Sequence, residues 1–292
     1  MTHLAADAGT DAFAAARPRL VRLAYRMLGS VAEAEDVAQD AWLRWRGADS
    51  QAIADPTGWL VRTATRLCID RLRAARTQRE AYRGPWLPEP LIEDLASDPV
   101  ERAEEVSVAF LLALERLSPL ERAVFLLHEV FDEDYDAIGS VLGRSPAACR
   151  QLAVRAREHV RAARPRFAVS QEAASRLVGA FIDAARRSDL TALKGMLAED
   201  AVLITDGGGK RKAALRVMTG PDDMVALVRG LMWRGQLEPM TAVRPVRING
   251  YMGVVIESED GPFTVAFEPQ SEDRLAAIYV VRNPDKLRHL AG

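Results

Sequence analysis

The stretch from Leu117 to Arg161, LSPLERAVFLLHEVFDEDYDAIGSVLGRSPAACRQLAVRAREHVR, allows few folds. Twice a Ser-Pro pair opens an apolar-periodic run, at Ser118-Pro119 and at Ser145-Pro146. Serine at an N-cap satisfies an orphan N–H, and proline at the first helical position lacks only an N–H that would have had no partner. Glu121 adds a capping box to the first pair. Val124, Phe125, Leu127 and Val130 then form one apolar face. A short helix is expected from Tyr135 to Leu142, with Tyr135, Ile138 and Leu142 inward. Gly143 takes the turn, where positive φ is expected. The helix after Ser145-Pro146 should bury Cys149, Leu152 and Ala156 and turn Arg150, Gln151, Arg155, Arg157 and Arg161 outward. Two short helices across a glycine turn, the second rich in arginine, suit a helix–turn–helix with its second helix in a DNA major groove. Arginine neutralises phosphates, and Arg and Gln pair bidentately with guanine and adenine edges.

The formal net charge of −2 over 292 residues argues against blanket affinity for nucleic acid, so the basic residues must be local. They are: Arg144 to Arg166 holds a single acid, Glu158, and Arg62 to Arg83 is also strongly basic. Cys68 and Cys149 both fall on apolar helix faces and read as buried free thiols, which suits a reducing compartment. No Cys/His spacing resembles a zinc site, so neither a metal nor a cofactor is expected. With no signal peptide and no apolar run of spanning length, the chain should be soluble and cytoplasmic, away from membranes.

In chain order, residues 1–10 read as a disordered tail, and Pro18 should open the first firm helix. Ser30 and Glu33 cap a second helix running to about Trp45. Its stripe is Val37, Ala38, Ala41, Trp42 and Trp45, leaving Glu35, Asp36, Gln39 and Asp40 outside. Aromatic anchors framed by charge fit a partner surface; the plainer reading is core packing. Pro56 starts a third helix with Trp59, Leu60, Leu67, Cys68 and Leu72 inward, and Arg62, Thr63, Thr65, Arg66 and Arg73 outward. Cations and aromatics together suit single-stranded nucleic acid. RGPWLPEPLIEDLASDP, Arg83 to Pro99, cannot be one helix and should be an extended linker, yet Trp86, Leu87, Leu91 and Ile92 are too apolar to stay in water. Asp98-Pro99 should open another helix ending near Leu117.

After Arg166 the pattern changes. A helix from Gln171 to Arg187, a short helix from Asp189 to Leu197, a strand AVLITD, a tight DGGGK loop and a helix from Gly220-Pro221 precede strands near 241–248, 251–257, 262–268 and 275–281. Asn249-Gly250 is a strong hairpin turn. Helices followed by a curved antiparallel sheet make an α+β domain.

These motifs resemble a known family. Residues 11–83 and 99–164 resemble the two conserved helical domains of extracytoplasmic-function sigma factors, the promoter-specificity subunits of bacterial RNA polymerase, joined by a linker at 84–98. AEDVAQDAWLRW resembles the helix that grips the polymerase clamp, which implies core contacts by Asp36, Gln39, Asp40 and Trp42. PTGWLVRTATRLCIDRLR resembles the segment that melts and reads the minus-ten element, implying DNA contacts by Arg62, Arg66, Asp70 and Arg73; Arg66 stands where Asn is commoner. SPAACRQLAVRARE resembles the helix reading the minus-thirty-five element, implying roles for Ser145, Arg150, Gln151, Arg155 and Arg157.

WLPEP (Trp86, Leu87, Pro88, Glu89, Pro90), DGGGK (Asp206, Gly207, Gly208, Gly209, Lys210) and NPDKL (Asn283, Pro284, Asp285, Lys286, Leu287) resemble the group with a fused SnoaL-like cone, often called group forty-one, here 170–292. The resemblance implies core polymerase and promoter DNA as partners, no separate anti-sigma factor, and a regulatory cone open to a small-molecule ligand. Trp86, Leu87 and Glu89 of the linker would then dock on DGGGK and NPDKL, with Lys210 paired to Glu89.

Two other readings compete. A one-component regulator, helix–turn–helix plus sensing cone, leaves the Trp42/Trp45 helix and the basic Trp59 helix unexplained. An enzyme would need a base among Asp200, Asp206, Glu257 and Glu268, since His289 is the only histidine of the cone. DGGGK lacks a Ser/Thr after Lys210 and is not a phosphate loop, so no catalytic residue is assigned and the chain is read as a non-enzyme.

Overall fold

The computed structural model describes residues 2–49, 53–95, 106–161, 169–234 and 242–290. It divides into two compact units, Met1–Glu80 with Phe110–Arg164, and Ala81–Ala109 with Pro165–Gly292. The expected linker therefore belongs to the C-terminal unit, while the two sigma-like regions form one unit.

In the first unit α1 spans Thr2–Leu28, α2 Val31–Arg46 and α3 Pro56–Glu80. The residues expected as a tail are thus helical from Thr2, and Pro18 lies inside α1 instead of opening it. Ala-rich turns before Pro18 hold the helix at the cost of one ladder hydrogen bond. Leu20, Leu23 and Met27 of α1 are fully buried, as are Val37 and Ala41 of α2 and Leu60 and Cys68 of α3. Trp45 meets Trp59 edge-on at 5.5 Å, and Trp42 lies 4.8 Å from Phe13. Thr65 was expected outward; it is buried and donates to the Val61 carbonyl one turn back. The opening of a helix at Asp98-Pro99 falls outside the described residues; α4 spans Val108–Glu115.

The helix–turn–helix follows its sequence signals closely: α5 is Pro119–Glu129, α6 Tyr135–Leu142 and α7 Pro146–Arg161. Ser118 and Glu121 form the full capping box, and Gly143 sits at φ 64°. The buried faces are shifted slightly from expectation. Val141 is buried where Leu142 was expected, and Ala153 and Val160 join Cys149 and Ala156.

In the second unit α8 is Gln171–Arg186, α9 Leu190–Gly195 and α10 Pro221–Trp233. The strands are β1 Ile92–Glu93, β2 Leu197–Asp206, β3 Met218–Thr219, β4 Ala242–Ile248, β5 Tyr251–Glu257, β6 Phe263–Pro269 and β7 Leu275–Val281. They form one sheet in the order β1-β4-β5-β6-β7-β2-β3. The expected meander β4 to β7 is antiparallel, but β2 runs parallel to β7, so the sheet is mixed, not purely antiparallel. A two-residue turn closes the β4–β5 hairpin with Asn249 at φ 48° and Gly250 at φ 79°.

Strand periodicity gives this sheet two apolar faces. Val265 and Phe267 of β6 and Ile278 of β7 pack with Leu177 and Val178 of α8 and Met224 of α10. Their neighbours Thr264, Ala266, Tyr279 and Val281 face the linker: with Leu87, Pro88 and Pro90 they line a cavity of about 10 Å³. That is room for about one water molecule.

Candidate regulatory and nucleic-acid sites

In the first unit α3 contacts the end of α6. Arg66 of α3 donates through Nε to the Val141 carbonyl at 2.9 Å and through a terminal nitrogen to the Ser140 carbonyl at 3.5 Å. These are last-turn carbonyls of α6, which have no intrahelical donor. The same device recurs. Arg122, buried in α5, donates to the Met27 carbonyl in the last turn of α1, and Arg79 to the Leu28 carbonyl at 2.9 Å. Glu115 joins them, accepting from Arg122 at 2.8 Å and from Arg79. Burial works to lower the Arg122 pKa and the Glu115 carboxylate opposes it. Arg19 bonds Glu133 at 2.8 Å and sits over the Phe131 ring. Arg66 is exposed and holds the two carbonyls of α6.

Around the other predicted contacts, Asp36 and Gln39 are exposed on α2. Asp40 is half-buried and takes Arg71 of α3 at 2.8 Å, with Asp36 at 3.9 Å from the same guanidinium. Trp42 is a half-buried packing residue. Asp70 and Arg73 are exposed and 3.7 Å apart, while Arg62 is half-buried. Just before α7, Ser145 accepts from the Ala148 amide, and on the helix Arg150, Gln151 and Arg155 are exposed. Arg157 is engaged at home, with Glu129 at 2.7 Å and the Tyr135 hydroxyl at 3.0 Å.

The second unit gathers the three pentapeptides at Asp206. This carboxylate is fully buried at the end of β2. It accepts from the Tyr82 hydroxyl at 2.6 Å, the Leu87 amide at 2.9 Å, the Gly208 amide at 2.9 Å and Lys286 Nζ at 2.7 Å. Its backbone carbonyl accepts from the Arg282 and Asn283 amides. Lys286 also reaches the Leu87 carbonyl and lies 4.2 Å from the centre of the Trp86 ring. Tyr82 accepts in turn from Asn283 Nδ2 at 2.9 Å; burial, then the bond to Asp206, raises its pKa. Leu87 and Leu287 are buried.

Gly208 sits at φ 60°, and a Cβ there would meet Asn283 Nδ2 at 2.3 Å, so neither the conformation nor the space admits a side chain. Lys210 pairs with Asp285 at 2.5 Å and not with Glu89, whose Oε1 lies 3.9 Å from His289. The reason is reach: the Gly loop presents Lys210 to the tail, whereas Glu89 is buried in the docked linker. Further along, Asn249 anchors the linker by exchanging bonds with Leu91, and Ile92–Glu93 adds β1 to the β4 edge.

The carboxylates weighed for catalysis are spread apart in role. Asp200 and Glu257 are exposed, Asp206 is committed to the donors above, and Glu268 accepts from Tyr279 at 2.6 Å. Among the described residues no cluster of His, Cys, Asp and Glu would hold a metal, and no helix is long and apolar enough to cross a membrane.

Comparison with known proteins gives this geometry its setting. Residues 12–78 match the Sigma-70 region 2 family and residues 107–160 the Sigma-70, region 4 family. The chain is 37% identical over 287 residues to the extracytoplasmic-function RNA polymerase sigma factor SigJ of Mycobacterium tuberculosis, covering 94% of this chain and 91% of that one. This chain belongs to the extracytoplasmic-function sigma factors. The crystal structure of the same M. tuberculosis SigJ matches with a TM-score of 0.77 at 35% identity, covering 96% of this chain and 98% of the other. A probable sigma factor of that organism, SigI, is 39% identical over 65% of this chain and 67% of its own length. As a sigma factor the chain serves core RNA polymerase and promoter DNA, through two helical sigma domains followed by an α+β region.

Sequence reasoning missed Tyr82, which completes the Asp206 cluster, and Arg71 and Arg122, which tie helices together. Tyr82 had a signal: it lies just before the apolar, proline-bounded linker. Arg71 had none, since it sits in a run of similar arginines; Arg122 is a lone arginine in an apolar helix.

Proposed function

We propose that this sigma factor is regulated by its own C-terminal domain, which holds the interdomain linker as an intramolecular peptide ligand. The observation that carries the reading is Asp206, where linker, glycine loop and C-terminal tail share one buried carboxylate. Recognition has the form of strand addition: main-chain bonds at Leu91 and β1 give affinity, and the buried Leu87 gives specificity. Burial of that leucine alone contributes roughly 1.5–3 kcal/mol. The linker joins the two sigma domains in sequence, so a held linker limits how they separate to span both promoter elements. An internal ligand of this kind takes the place of a separate anti-sigma factor. A small molecule acting on the linker-facing side of the sheet would have to displace the linker, because the cavity beneath it measures about 10 Å³. The protein then works in the cytoplasm, as a regulator of initiation and not as an enzyme.

Within the sigma domains we assign Asp36 and Gln39 to core polymerase, and Arg62, Asp70, Arg73, Arg150, Gln151 and Arg155 to promoter DNA. Their exposure supports the assignment for all but Arg62, which is half-buried. Asp40 and Trp42 support the α2 surface from behind. Transcription by purified core polymerase tests the regulatory reading. Trp86→Ala and removal of the tail from Asn283 should both change promoter-specific activity, in the same direction. Activity equal to that of the intact chain in both would remove the regulatory role.

A further inference from the structure

Two of the arginines on α7 converge on one side chain outside the recognition helix. The Arg150 guanidinium carbon lies 5.5 Å from the Tyr135 ring centroid. The Tyr135 hydroxyl accepts from a terminal nitrogen of Arg157 at 3.0 Å, and Arg157 Nε is anchored by Glu129 at 2.7 Å. Tyr135 itself is braced. The His128 ring packs against it, tilted by 32°, with centroids 4.2 Å apart, and His128 Nδ1 is fixed by the Glu133 carbonyl at 2.9 Å. The assembly is built from three elements: α5 supplies His128 and Glu129, α6 begins with Tyr135, and α7 supplies the arginines.

Arginine is a long, rotamer-rich side chain, and its planar fork recognises a base edge well only when the plane is held. An exposed arginine on a helix normally loses that freedom on binding. A ring placed over the guanidinium restricts it beforehand and leaves its in-plane N–H donors available, because the cation–π contact uses the face of the group. Arg157 differs. Its Nε and one terminal nitrogen are already bonded inside the protein, so in this scheme it serves as a strut.

We propose that Tyr135 is a positioning residue for promoter recognition: its ring presets the guanidinium of Arg150 for the upstream element, and its hydroxyl locks α7 to the rest of the fold through Arg157. The proposal rests on the reading that α7 enters the groove of that element and that Arg150 contacts a base there. Tyr135 touches no DNA in this scheme and acts through the two arginines.

The test is transcription by core polymerase with the full chain on a library randomised through the upstream element, read as base preference at each position. Arg150→Ala should flatten the preference at one position. Tyr135→Leu should relax the same position by about two- to fivefold, the worth of one exposed cation–π contact. Tyr135→Phe keeps the ring and should keep that preference. In the Arg150→Ala background Tyr135→Leu should add nothing at that position, since the two act as one unit. Thermal melts accompany each variant, and Tyr135→Met replaces Tyr135→Leu should the latter melt lower. A uniform fall of activity across the library, with the base profile unchanged, would mean that Tyr135 only supports the fold. Arg150→Ala leaving the profile intact would instead overturn the reading of Arg150, and the positioning role with it.

Discussion

Replacing Asp206 by alanine should release the linker while leaving the sheet intact. The carboxylate is fully buried and holds the Lys286 ammonium at 2.7 Å, the Leu87 amide at 2.9 Å and the Tyr82 hydroxyl at 2.6 Å. Removing one partner of a buried ion pair costs about 3–5 kcal/mol, because the other charge is left without compensation. Lys286 keeps the Leu87 carbonyl and the rings of Trp86 and Tyr82, which softens the loss. The lower end, about 3 kcal/mol, is therefore the working figure, a shift of roughly a hundredfold in the ratio of docked to released linker. The strand bonds of β2 are main-chain and survive the change. Hydrogen exchange reads the outcome directly, since the Leu87 amide donates to the carboxylate that is removed. Its protection should fall by about two orders of magnitude, while the β6 and β7 amides keep theirs. A steady-state fluorescence change at Trp86 should accompany it. If the Leu87 amide exchanges as slowly in Asp206→Ala as in the intact chain, Asp206 is not what holds the linker. Loss of protection in β6 and β7 as well would mean that it holds the whole domain and not a releasable ligand.

Three further outcomes follow from the same geometry. Asp36→Lys should weaken core-polymerase binding with little effect on melting, whereas Asp40→Lys should also lower the melting temperature slightly, because it breaks the ion pair with Arg71; equal polymerase affinity in a folded Asp36→Lys protein would discard the α2 assignment. Arg66→Ala should loosen the contact between α3 and α6 by about 0.5–1.5 kcal/mol, discounted for its exposure, and denaturant unfolding of the first unit that is unchanged by the substitution would show the contact to be without weight. Glu268 sits where burial raises its pKa, with the bond from Tyr279 opposing. A raised folded-state pKa means that its stabilising contribution is fully present below the unfolded value near 4.5 and is lost as pH rises through the folded one. Exchange protection of β6 and β7 should therefore weaken from about pH 4.5 toward neutrality, and Glu268→Gln should remove that slope; a slope that persists in the variant assigns it to another group.

Local chemistry made much of this molecule readable from its residues alone. The helix–turn–helix was legible almost to the residue because its limits are set by short-range effects: Ser-Pro starts, a capping box, and a glycine at φ 64°. The β4–β5 hairpin was equally plain, since Asn-Gly supplies the two positive φ values the turn needs. The linker's apolar residues announced that something must bury them. Which surface does so was a matter of tertiary structure. Asp206, Lys286 and Tyr82 are separated by up to 204 residues in sequence and meet only because β2 and β7 run side by side and the tail folds back after β7. The parallel pairing of β2 with β7 had no local marker, as it depends on a crossover and not on a turn. Lys210 makes the same point about side chains: its motif suggested Glu89, and the fold gives it Asp285. Charge and exposure are sequence properties, but the partner of a long cationic side chain is fixed by which unsatisfied acceptor the fold brings within its reach.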